Sequence, residues 1–304
     1  LWAQIPDGYY DSALGKKKAE LKTALHKIIG KADVLDYGSG AGKTWSGFVQ
    51  TDVDDEGYYV DMYSPNRVKA NGNSAGSGMN IEHSFAKSWW GGTKNQAYKD
   101  IQQLRPSNSK ANSSKGSWPM AIVDGKTTYD NGVIKVGKSS SRPGGEITAW
   151  EPSDQYKGDF ARAYFYIATR YADKCGNWQS QVFSSSFPHL AKPTLDMMLR
   201  WHQKDAVSEK EIVRNDAVYN EQRNRNPFID YPELVDLIFG DRTDEPFNPD
   251  GSEHPYLISP LSGSTINIGT TLFNHSVSNN ILIQGKNIEN DLTLTLSGTD
   301  ATLF

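Results

Sequence analysis

Leu14, Leu21, Leu25, Ile28 and Ile29 recur at close to helical spacing between Ser12 and Ile29. Gly30 follows where a left-handed residue commonly ends a helix, so the pattern predicts an amphipathic first helix. Between Gly38 and Gly78 the chain is rich in Gly, Ser, Asn and Asp and reads as loop, interrupted by the strand-like run Tyr58 to Tyr63. A second loop, Ser139-Ser140-Ser141 before Pro143-Gly144-Gly145, leads into a helical half. There the spacing predicts a buried, aromatic-rich helix from Asp159 to Tyr171. Another runs from Pro193 to Lys204, with Leu195, Met198, Leu199 and His202 on one face. A third begins at Ser208, which makes a capping box with Glu211, and continues towards Arg223; Pro232 to Phe239, with Gly240 behind it, is a short last helix. From Asp241 to Pro260 the residues are those of a linker. Beyond it Thr265 to Ile268, Ile281 to Gln284 and Leu292 to Leu296 alternate in the manner of strands. That stretch of roughly 45 residues is shorter than the ~100 of an immunoglobulin-like sandwich, so it reads as the first strands of one, cut short at Phe304.

The pattern divides the chain into an α+β domain, residues 1–250, and a β-rich segment, 251–304. Composition narrows the chemistry. The single cysteine, Cys175, excludes an internal disulfide framework and a cysteine-based zinc cluster, so a bound metal must be held by oxygen and nitrogen. No stretch reaches the ~18 consecutive apolar residues of a membrane span. The opening Leu1-Trp2-Ala3-Gln4 reads as what remains around a cleaved signal, which places the protein outside the cell or in the periplasm. Of the net charge of -4, -3 falls in Gly251 to Phe304, which leaves the first 250 residues near neutral: an argument against a strongly basic nucleic-acid binder, but not against a local basic cleft. Gly38 to Thr44 approximates a phosphate loop, but Tyr37 stands where its first glycine is required, and nucleotide hydrolysis is rejected.

The chemistry concentrates in Asn80-Ile81-Glu82-His83-Ser84-Phe85-Ala86-Lys87 and in Asp100 to Lys115. Adjacent residues of a regular strand point to opposite faces, so Glu82 and His83 can serve one site only where a strand bends or ends. After Pro106 a short helix is expected, with Asn112 on it. Neutral His83 suits a general base near physiological pH. Glu82 and Asn112 are hard oxygen donors for one Mg²⁺, with Ca²⁺ or Mn²⁺ as alternatives. Asp100 suits a structural carboxylate better than a ligand. Lys87, Lys94 and Arg105 are ordinarily exposed charges, one of which is positioned to meet a phosphate. Arg223 and Arg225 either line the cleft or anchor the last helix, and His26, His189 and His202 read as packed histidines. The tryptophans, Trp89 and Trp90 among them, read as core rather than as base-stacking surfaces.

Glu82-His83, the block Asp100 to Pro106 and Asn112 together resemble the endonuclease I family, whose ββα-metal (His-Me) finger carries these features. Gly8-Tyr9-Tyr10, Asp61-Met62-Tyr63-Ser64, Gly158 to Arg162 and Asn224 to Asp230 extend the resemblance over roughly Ile5 to Phe239. It implies a ββα finger wrapped by helices. It also implies an exported, monomeric, non-specific endonuclease acting on DNA and also RNA, with His83 as base and one divalent ion on Glu82 and Asn112. Two positions depart from the family pattern: Gln102 replaces a His that is common in the Asp-Leu-His block, and Lys115 replaces a common Arg. Gln102 keeps an orienting capacity and Lys115 keeps the charge without the bidentate fork, so both are counted with the catalytic group. The alternative is a nucleic-acid-binding or surface-associated protein that keeps the fold and has lost catalytic power.

Overall fold

The computed structural model describes residues 4–140, 146–179 and 181–249, together with 256–259, 280–286 and a few isolated positions between 276 and 295. The fold is α+β. Its helices and strands follow in the order α1 (Lys18–Ile29), α2 (Thr44–Thr51), β1 (Met79–His83), α3 (Gln96–Lys99), β2 (Leu104–Asn108) and α4 (Ser109–Lys115). There follow β3 (Thr127–Asp130), β4 (Ile134–Ser139), β5 (Ile147–Pro152), α5 (Lys157–Arg170), α6 (Lys192–Lys204), α7 (Glu209–Gln222), α8 (Pro227–Asp230) and α9 (Leu234–Ile238).

Helix α5 is the spine. Every residue from Phe160 to Arg170 is buried, the two arginines among them, Arg162 and Arg170, being paired with Glu211 and Asp100. The meander β3-β4-β5 packs on it through Trp150, whose indole meets Phe160 edge-on at 5.1 Å. Strands β1 and β2 form a separate antiparallel pair, with Glu82 opposite Arg105 and His83 opposite Leu104, and α4 follows β2 directly. This unit lies between two hydrophobic clusters. Phe85 and Ala111 belong to the main one with α5, whereas Met79 and Leu104 join Trp45, Phe48 and Val218 in a smaller one.

Several sequence expectations are met by local chemistry. Ser208 and Glu211 form the capping box of α7, and α1 buries Leu21, Leu25 and Ile29. Others are corrected. Gly30 is right-handed, at φ -69; a Cβ there would lie 2.7 Å from the His26 carbonyl, so close approach rather than a left-handed cap calls for glycine. The buried stripe of α6 is Thr194, Met197, Met198 and Trp201, one position away from the predicted face. Tyr58 to Tyr63 makes only isolated bridges, because the Asp61 carboxylate turns the chain by accepting from the Tyr63 and Asn108 amides and the Ser64 hydroxyl. Pro106 sits inside β2, which tolerates it because both strands of a two-stranded sheet are edges, and α4 starts instead at the Asn108 cap.

The presumed linker begins as part of the domain. Phe247 is fully buried and its backbone is tied to Gly15 and Lys16. Further on, Tyr256–Ser259 (β6) pairs with Gln284–Lys286 (β7), so strand structure begins within the stretch assigned to the linker, and Ile281 to Ile283 precede β7 without regular structure. The strand predicted at Thr265 to Ile268 lies outside the described residues, as does most of that at Leu292 to Leu296.

Candidate active site

Strand β1 ends at His83, which removes the alternation that would send Glu82 and His83 to opposite faces. Both line one cleft of about 520 Å³, with Lys87 from the following 3-10 turn and Asn112, Ser113, Gly116 and Ser117 from the end of α4. Asn108 holds α4 in register by accepting from the Lys110 and Ala111 amides.

His83 is 6% exposed. Its Nε2 lies 3.0 Å from the Tyr98 carbonyl oxygen. A carbonyl only accepts, so Nε2 carries the proton and Nδ1 is the basic nitrogen. The Tyr37 ring stacks on the imidazole at 5.6 Å and 20°, and Tyr98 tilts against it at 4.8 Å. Burial pushes the imidazole pKa down to about 4, helped by the Lys115 and Lys87 charges and opposed by the Tyr98 carbonyl. His83 is therefore neutral at physiological pH.

Glu82 is equally enclosed. Lys115 Nζ donates to its Oε1 at 2.6 Å and to the His83 carbonyl at 3.2 Å, with the Trp150 ring 5.2 Å from the ammonium. Burial raises the Glu82 carboxyl above its usual range, against the pull of Lys115, the His83 amide and the Asn112 side chain. Among the described residues no three His, Cys, Asp or Glu side chains gather into a metal cluster. The hard donors of the cleft are a single carboxylate, Glu82, with the amides of Asn112 and Asn80 and the hydroxyls of Ser113 and Ser117, a set poor in charge that suits an ion keeping most of its water, as Mg²⁺ does.

The other predicted residues are dispersed. Gln102 is buried, donating to Asn215 Oδ1 at 3.0 Å, and does not line the cleft. Arg105, opposite Glu82 in register, turns its guanidinium into the interior, donating to the Gln102 and Leu104 carbonyls and to Met62 Sδ. Arg225 is fully buried between Asp230 and Asp216. Arg223 is exposed at the end of α7, and Lys94 is exposed; neither lines the cleft. Of the predicted cations only Lys87 is both exposed and in the cleft. Asp100 is the structural hub expected of it, accepting from Tyr166, Tyr171, Arg170 and Gln222. His26, His189 and His202 are packed against Thr169, Lys22 and Arg162.

Sequence reasoning passed over Tyr37 and the Tyr98 carbonyl. Tyr37 drew notice only as the residue that spoils a phosphate loop, and a backbone carbonyl carries no residue-type signal at all.

A neutral imidazole beside a buried carboxylate and amides has the groups a hydrolase needs to take a proton from water and to hold a cation. The chain belongs to the endonuclease I family, whose model matches residues 17–233. It is 36% identical over 243 residues to an extracellular ribonuclease of Bacillus amyloliquefaciens, covering 76% of this chain and 78% of that protein. To an extracellular ribonuclease of Bacillus subtilis (strain 168) it is 34% identical over 244 residues, covering 77% and 78%.

Proposed function

We propose that this chain is an exported, monomeric endonuclease that hydrolyses phosphodiester bonds in RNA and DNA with little sequence preference. The observation that carries the reading is the pairing of His83, held neutral with Nε2 bonded to the Tyr98 carbonyl, and Glu82 on the wall of one cleft. His83 Nδ1 takes the proton of the attacking water. Tyr37 and the Tyr98 carbonyl keep the ring in place for that transfer. Glu82 and Asn112 hold one divalent cation, Mg²⁺ first, with Ca²⁺ and Mn²⁺ as alternatives. When bound, it supplies positive charge to the scissile phosphate and the leaving 3′ oxygen. Lys87 draws the phosphate backbone to the cleft. Because water is the nucleophile, no 2′-hydroxyl is needed and both nucleic acids are substrates. Export is supported by the two extracellular relatives and by the fact that no described helix is long and apolar enough to cross a membrane. Residues 1–250 form the catalytic domain and 251–304 an accessory β-rich module.

The Lys115–Glu82 ion pair favours a second reading, a nucleic-acid-binding protein with weakened catalysis, since an internal cation already holds one carboxylate oxygen. Cleavage of single-stranded RNA and of plasmid DNA by the wild type and by Glu82→Ala, first in EDTA and then in excess Mg²⁺, decides between the two. The nuclease reading expects cleavage only with metal and only with Glu82. Binding of both substrates without cleavage under any divalent ion sinks it.

A further inference from the structure

Trp118 stands apart from the other described tryptophans. Trp45, Trp89, Trp150 and Trp201 are buried, and Trp90 and Trp178 lean on each other at 5.2 Å. Trp118 is 46% exposed, and no described residue provides its indole with a ring partner, a cation or a hydrogen-bond acceptor. A single exposed aromatic is ordinary on a protein surface. Its place is what distinguishes this one.

The turn that ends α4 sets that place. Gly116 has φ +54, and a Cβ there would lie 3.8 Å from the indole Nε1, so the five-membered ring runs alongside the glycine. Gly116 and Ser117 form one wall of the cleft. Ser117 is held by the 3-10 turn that carries Lys87, its carbonyl accepting from Trp89 Nε1 at 3.1 Å and its hydroxyl from Ser88 at 3.0 Å. The Gly116 carbonyl is 3.5 Å from Lys115 Nζ, which is itself 2.6 Å from Glu82. A pinned turn thus presents a bare indole beside Gly116, next in the chain to the residues that line the cleft, although the indole is not itself part of the lining.

We propose that Trp118 is a stacking subsite for an unpaired nucleobase of the strand whose phosphate occupies the cleft, and that it makes the protein favour single-stranded over duplex nucleic acid. The inference rests on the nuclease reading for the placing of that phosphate. Every base has a π-face, so an indole platform tolerates any sequence. In a duplex the bases stack on one another, and reaching the indole requires unpairing one of them. Of the rings that line the cleft, Tyr37 is stacked on His83 and Trp45 is buried, and α4 offers none, which leaves the Trp118 indole as the free platform next to it.

The test measures kcat/KM for single-stranded RNA, single-stranded DNA and a duplex of the same sequence, with wild type, Trp118→Ala and Trp118→Phe. Trp118→Ala should lower the ratio of single-strand to duplex kcat/KM by on the order of tenfold, through KM, for RNA and DNA alike, and Trp118→Phe should restore most of it. Fluorescence anisotropy of a labelled single-stranded oligonucleotide in EDTA reads the same subsite without cleavage, with a loss of similar size expected for Trp118→Ala. An unchanged ratio and an unchanged affinity overturn the subsite. A wild type that cleaves nothing under any divalent ion overturns the nuclease reading instead, and the affinity measurement then still decides whether the indole binds bases.

Discussion

Lys115 Nζ lies 2.6 Å from the Glu82 carboxylate, with the two side chains 1% and 8% exposed. A buried carboxylate stripped of its partner is costly, typically about 3–5 kcal/mol. Lys115→Met should therefore lose stability of about that size in urea unfolding with EDTA present. Excess Mg²⁺ should recover part of the loss by supplying Glu82 with a new cation. A variant as stable as the wild type in EDTA would show that the ion pair contributes nothing.

His83→Ala should lower kcat by about 10²- to 10⁴-fold, the usual contribution of a general base. Circular dichroism should show an intact fold, because the imidazole makes a single hydrogen bond to the Tyr98 carbonyl. Cleavage at the wild-type rate would remove His83 from the mechanism.

Two predicted phosphate contacts separate by burial. Lys87 is exposed in the cleft, so Lys87→Ala should weaken binding to all sequences and flatten the slope of log affinity against log salt by about one. Arg225 is buried against Asp230 at 2.7 Å; Arg225→Ala should leave that slope unchanged and cost about 3–5 kcal/mol of stability by abandoning Asp230. Reversed results would place Arg225 on the substrate.

Burial, with the Glu211 and Asp205 charges and against the pull of Arg162, pushes the Asp159 carboxyl up to about 7. Between its ordinary value of 3.8 and about 7 the folded state holds a proton that the unfolded state has released. The stability from this group is thus complete at low pH and lost as pH rises through about 7. Asp159→Asn should gain a few kcal/mol at most over the wild type at pH 8, and little at pH 4, in urea titrations at the two values. An equal difference at both would show that Asp159 is ionised throughout.

Much of this protein was legible where the signal is local. Ser208 and Glu211, three residues apart, specify a cap in any helix that starts there, and α7 starts there. Glu82 and His83 were expected to share a site only at the end of a strand, and β1 ends at His83. What stayed hidden depends on residues distant along the chain. Gln102 meets Asn215, 113 positions later, and Lys115 meets Glu82, 33 positions earlier. Residue type marks an arginine as a phosphate contact, but exposure decides it, and exposure belongs to the packed molecule.

By itself the sequence determined the helical half, the exclusion of an internal disulfide, and the segment that carries the Glu-His pair and Asn112. Those follow from periodicity, composition and short-range hydrogen bonding, which act within a few residues. Only the tertiary structure decided which side chains share the cleft. It packed His83 against Tyr37 and Tyr98, set Lys115 on Glu82, withdrew Gln102, Arg105 and Arg225 into the interior and left Trp118 exposed beside Gly116. The reason is that burial and pairing are set by elements that meet only after the two hydrophobic clusters close around α5 and α2.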